Sequence, residues 1–167
     1  MTEPPAILVF GVSGAGKTTV GRMLAERLGW AFLDADDLQP RANVEKMRAG
    51  IPLDDADRWP WLDAVGQWID ARAGEGRASV VGCSALKRAY RDRLRAGRPQ
   101  LEMVYLTGSQ ALIGDRLARR KGHYWPASLL PTQFAVLEPP ASDEHAITVD
   151  IGPPPEVLVE AIARRLA

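Results

Sequence analysis

The 167-residue chain holds a single cysteine, Cys83, and only two histidines, His123 and His145. One cysteine excludes an internal disulfide framework and leans towards a reducing, cytoplasmic setting. Two histidines and one thiol cannot build a zinc site unless carboxylates help. Net charge is missing too, because 21 Lys and Arg offset 21 Asp and Glu. Without a basic surplus, the reading is no nucleic acid and no membrane surface as partner. The opening MTEPPAILVFGVSG lacks a basic stretch, and its apolar run from Ala6 to Val12 is far too short to span a bilayer. Repeats and low-complexity tracts are absent. The nearest thing to a linker, Gly152-Pro153-Pro154-Pro155, is too short and too late to divide the chain, so residues 1–167 read as a single domain.

What is present is an alternation of apolar runs and amphipathic stretches. Ala6–Gly11, Ala31–Leu33, Ala78–Cys83, Leu101–Leu106 and Ala146–Ile151 read as strands. Helices are expected over Lys17–Leu28, Pro40–Ala49, from Pro60 to about Gly74, Lys87–Ala96, from a Ser109 cap to about Arg120, and Pro155–Leu166. Ile51–Trp59 reads as a loop, and short helical pieces span Ala127–Glu138. Five such strands with helices between them predict an α/β fold: a five-stranded parallel sheet with helices on both faces. Ligands in such sheets lie beyond the carboxyl ends of the strands, so residues just after each strand matter most.

Gly11-Val12-Ser13-Gly14-Ala15-Gly16-Lys17-Thr18 matches G-x-x-x-x-G-K-[ST], between an apolar strand and an amphipathic helix. Its glycines let backbone N–H groups close around phosphate oxygens. Lys17 is placed to reach the β- and γ-phosphates, and the Thr18 hydroxyl can face Mg²⁺. Thr19 completes the loop's nucleotide-binding residues. A guanine-reading N-K-x-D motif is absent. The acids at an early strand end are Asp34 and Asp36, two apart in an extended segment and so on one side. One could support the metal and the other could take a proton from a substrate hydroxyl, in either order.

These features and their neighbours resemble the gluconate kinases, small P-loop kinases related to shikimate kinases. The likeness runs nearly end to end. It rests on GVSGAGKT at Gly11–Thr18, FLDADDLQP at Phe32–Pro40 and NVEKM at Asn43–Met47. It continues through GIPLDDADRWPWL at Gly50–Leu62, CSALKRAYRDRLR at Cys83–Arg95, RKGH at Arg120–His123 and TQFAVLEPP at Thr132–Pro140. One position departs: Gln39 stands where family members usually carry histidine. Glutamine hydrogen-bonds but does not titrate near neutrality, so a positioning role is preferred for it.

The resemblance implies transfer of phosphate from ATP, with Mg²⁺, to D-gluconate. It also implies a small helical lid over about residues 120–138, and it allows a homodimer. An acid acceptor needs a cation, best an arginine that grips its carboxylate. Asn43, Lys46, Arg58, Lys87 and Arg91 are the candidates for the acceptor pocket, with Asp36 facing the same substrate. Arg120 is assigned by resemblance to the transferring phosphate, Arg116 to the nucleotide side and His123 to the substrate or the lid loop. Two other readings stand beside this one: a kinase for another small acid or polyol, such as shikimate, and a nucleotide-binding regulatory module without chemistry.

Overall fold

The computed structural model describes residues 3–119 and 130–166. Five strands form one all-parallel sheet: β1 (Ala6–Phe10), β2 (Ala31–Asp34), β3 (Ser79–Gly82), β4 (Leu101–Thr107) and β5 (Ile147–Asp150), in the order β2-β3-β1-β4-β5. The central strand β1 is apolar at every position because both of its faces are covered, as a parallel sheet requires. Its side chains alternate between two cores. Ile7 and Val9 join Val20 and Leu24 of α1 (Lys17–Leu28) and Leu158 and Ile162 of α7 (Pro155–Leu166). Ala6, Leu8 and Phe10 join Trp61, Leu62 and Val65 of α3 (Asp55–Gly74) and Tyr90 and Leu94 of α4 (Arg88–Arg95).

The remaining helices are α2 (Arg41–Arg48), α5 (Gln110–Ala118) and α6 (Leu130–Val136), with 3₁₀ turns at Ala35–Leu38 and Ser142–Glu144. Ser109 caps α5 through its hydroxyl, as expected from the sequence. α3 begins earlier than expected, at Asp55 rather than Pro60. A reciprocal capping box sets that start: Asp54 accepts from Asp57 N–H, and Asp57 accepts from Asp54 N–H. Pro60 therefore sits inside the helix, where it forgoes one backbone bond while the first turn is held by the box.

Register brings Asp34 opposite Gly82, Val9 opposite Gly82, Phe10 opposite Tyr105 and Thr107 opposite Asp150. All five carboxyl ends thus lie along one edge. The chain leaves β1 towards β2 and later returns to β4 on the other side of β1, so the sheet's switch point lies at the end of β1.

Candidate active site

The loop from Gly11 to Thr18 crosses that switch point. Gly11, Gly14 and Gly16 have φ of 151°, 83° and 98°, values an L side chain rarely adopts. At Gly14 a Cβ would also collide with Leu117 Cγ at 2.7 Å. At Gly16 it would meet only Val20 Cγ2, at 4.0 Å, so that side of the loop is open. α1 starts directly after Gly16 with no capping side chain and no acid in its first turn. Its positive end is left to the cleft, which suits an anion.

The cleft has a volume of about 480 Å³. Its floor is the phosphate loop, and its walls include Asp34, Asp36, Ser84, Arg116, Gln133 and the Gly152–Pro155 segment. Lys17 Nζ reaches back to Val12 O at 3.1 Å, which lays the ammonium across the loop. Gly82 at the end of β3 lets that strand approach, since a Cβ there would sit 3.4 Å from Lys17 O. Cys83 lies beside it, and burial pushes its thiol up to about 12, so it is a small apolar filler rather than a nucleophile.

The two acids separate in the structure. Asp34 accepts from Thr18 Oγ1 at 3.1 Å on one oxygen and from Asp36 N–H at 3.0 Å on the other. It is held as a cap with both oxygens engaged. Thr18 and Asp34 together offer the hard oxygen donors that suit Mg²⁺. Among the described residues no group of three or more His, Cys, Asp or Glu could hold a metal alone, so this pair fits an ion completed by phosphate oxygens. Asp36 lines the cleft one 3₁₀ turn further on. Arg116 donates from Nη2 to Ile151 O at 2.8 Å, which fixes its guanidinium beside the Gly152–Pro155 wall.

The acceptor candidates divide into those near a cavity and those spent on structure. Arg58 is only 6% exposed. Its Nη2 makes one long bond to Leu53 O (3.4 Å), its Nε has no hydrogen-bond partner, and its guanidinium lies 5.1 Å from the Tyr90 ring centroid. No carboxylate among the described residues pairs with it. It lines a small cavity with Pro52, Leu53, Leu86, Thr132, Gln133 and Val136, and Gln133 also borders the phosphate cleft. Lys87 stands close by, 3.2 Å from Asp55 Oδ1 and over the same tyrosine ring at 5.7 Å. Asp55 also accepts from Tyr90 Oη, and that bond, then the one from Lys87, holds its carboxyl below the usual range.

Arg91 does not belong to the acceptor pocket. It is fully buried, and all five of its donors are committed: Nε and Nη2 to Glu144, Nη1 to Ala85 O and Leu86 O, and Nη2 also to Glu138 O. Helical spacing from Lys87 suggested a shared cleft, but the turn of α4 points Arg91 inward. Asn43 and Lys46 line neither cavity. Asn43 Nδ2 donates to Gln39 Oε1 (2.9 Å) and Asp57 O (2.8 Å), and Lys46 Nζ sits 2.7 Å from Asp57 Oδ2. They fasten α2 to the start of α3, and Gln39 joins that cluster as the acceptor from Asn43. Arg120, His123 and the 120–129 half of the expected lid lie outside the described residues. The rest of that segment includes α6, whose Leu130 is buried in the core. Sequence reasoning gave no role to Gln133, although its segment was among those that carried the resemblance.

The AAA domain family model matches residues 7–140. A curated relative, gluconokinase of Gluconobacter oxydans strain 621H, is 49% identical over 97% of this chain and 91% of its own length. The chain belongs to the gluconokinase family. A solved gluconokinase from Sinorhizobium meliloti 1021 superposes with a TM-score of 0.87 at 44% identity, over 100% of this chain and 95% of that one. An unliganded sugar kinase from Janibacter sp. HTCC2649 gives 0.92 at 44% identity, over 98% and 94%. With gluconokinase-family membership shown, the parallel sheet and P-loop expected from the sequence stand as described.

Proposed function

We propose that this protein transfers the γ-phosphoryl group of ATP to a hydroxyl of D-gluconate. The observation that carries the acceptor assignment is Arg58. It is a buried guanidinium with an unbonded Nε and, among the described residues, no carboxylate paired with it, so its hydrogen-bonding capacity is incompletely met. The adjoining cavity is small, about 20 Å³, so the polyol would lie in the phosphate cleft, which shares the Gln133 wall, with its carboxylate turned towards Arg58 to meet that capacity. Lys87 and Tyr90 stand on the same side, within reach of an acid bearing hydroxyls.

On the donor side, the glycine-rich loop and the open start of α1 hold the triphosphate, and Lys17 neutralises its terminal charge. Thr18 and Asp34 would hold Mg²⁺, which when bound supplies charge neutralisation between phosphate oxygens. Asp34 stands against Thr18 on the metal side, and Asp36, which also lines the cleft, is the group assigned to accept the proton of the attacking hydroxyl. Arg116 and the Gly152–Pro155 wall face the nucleotide base. Arg120 and His123 keep the phosphate and lid roles that the resemblance implies. A cytoplasmic homodimer completes the proposal.

The test is product identification. The protein, Mg²⁺-ATP and D-gluconate are incubated, and 6-phosphogluconate is read by a coupled dehydrogenase. The expected result is product formation that requires both substrates. Nucleotide binding with no phosphorylated acid, or ADP release indifferent to gluconate, would sink the reading.

A further inference from the structure

Gln133 links the two cavities. It is 4% exposed, and its Oε1 accepts from Ser13 N–H at 2.6 Å across 120 residues of sequence. Ser13 is itself buried, within the phosphate loop. Other loop bonds nearby are longer: Ala15 N–H to Val12 O at 3.2 Å and Gly11 N–H to Ser84 O at 3.3 Å. The element carrying Gln133 is anchored at both ends. Leu130 is buried in the α1/α7 core, and Glu138 N–H, just past the helix, donates to Leu86 O at 2.8 Å. Leu86 lines the Arg58 cavity, and Arg91 Nη1 donates to its carbonyl. One fixed side chain therefore sits against the phosphate loop on one side and the Arg58 cavity on the other.

We propose that Gln133 is a positioning residue for phosphoryl transfer. It sets the height of the phosphate loop relative to the Arg58 side of the cleft, so that the reacting oxygen and the terminal phosphate meet at the right separation. Misplacement by about 1 Å can cost ~10²-fold in rate, which is the scale at which such a tether acts. The proposal rests on the kinase reading for its catalytic consequence, but its effect on the loop can be read without an acceptor.

Two variants test it, each checked for melting temperature. Gln133→Leu removes the acceptor for Ser13 N–H at similar volume. It is expected to melt within a few degrees of the parent and to lose about 10–100-fold in kcat, with both KM values within about threefold. Gln133→Glu restores an oxygen for Ser13 N–H but adds a negative charge beside the phosphate site. Its kcat should exceed that of the leucine variant. Its affinity for ADP, measured by calorimetry with no acceptor present, should be weaker than the parent's by about tenfold. Two results overturn the proposal: a leucine variant with parental kcat, or leucine and glutamate variants that lose activity and melting temperature in equal measure. If gluconate is not the acceptor, only the kcat arm is lost, and a glutamate variant that binds ADP as tightly as the parent would still overturn the placement of Gln133 against the phosphate loop.

Discussion

Two buried arginines, Arg58 and Arg91, show what residue type alone conceals. Both follow an acceptor-side segment in sequence, and both were candidates to grip a carboxylate. Arg91 already has its carboxylate, because Glu144 reaches it from the 3₁₀ turn at Ser142–Glu144 with Nε···Oε1 at 2.7 Å. Nothing in the local sequence announces that partner. Arg91→Ala should therefore destabilise the fold by about 3–5 kcal/mol, the loss expected when one member of a buried pair is removed. Chemical denaturation checks this, and the KM for gluconate of the fraction that folds should stay near parental. The same pair has an acid limit. Burial raises the Glu144 carboxyl, but the Arg91 hydrogen bond, the Ala141 N–H and the Arg91 and Arg88 charges together bring it below its ordinary value of 4.5. A depressed folded-state value stabilises above the unfolded value and is lost as pH falls through the folded one. Melting temperature should thus be insensitive to this group above about pH 5 and fall below about 4.5, and Glu144→Gln should flatten that limb. The sequence leaves the roles of Asp34 and Asp36 in either order, and the Thr18 and Asp36 N–H bonds to Asp34 are what support the order proposed above.

At the scale of elements, the phosphate loop and α1 were legible because local chemistry specifies them. Glycines with positive φ, a lysine and a threonine at fixed spacing leave few alternatives. The start of α3 was not. Pro60 suits a first helical turn, and the capping box five residues upstream outcompetes it. That earlier start matters to function, because it places Arg58 in the first helical turns and Asp57 where Lys46 and Asn43 can bind it. Asp54→Ala should lower stability by about 0.5–2 kcal/mol. Because the box aims α3 at the cavity, the KM for gluconate should rise more than the KM for ATP. Equal KM values in variant and parent would mean that the cap stabilises α3 without orienting Arg58. α6 was seen only as a helical piece near Pro131, and its hold on Ser13 depends on a contact 120 residues away that no local pattern encodes.

At the scale of the molecule, continuous apolar strands separated by amphipathic helices were enough to foresee a parallel sheet with two covered faces. Right-handed crossovers set the hand of each connection, and the parallel arrangement gives one edge where all strand ends meet. Along that edge the donor cleft adjoins the much smaller Arg58 cavity, and the proposed grip of Arg58 on a carboxylate is what makes the acceptor an acid. The direct measurement is kcat/KM for D-gluconate and for D-glucitol, its carboxylate-free counterpart, with the parent and with Arg58→Ala. A charge-assisted bond of about 1.5–3 kcal/mol corresponds to a preference of roughly 10–150-fold for the acid. On this assignment the parent should show such a preference and the variant should lose most of it, through gluconate alone, at unchanged KM for ATP. A variant that still prefers the acid as strongly as the parent does would contradict it.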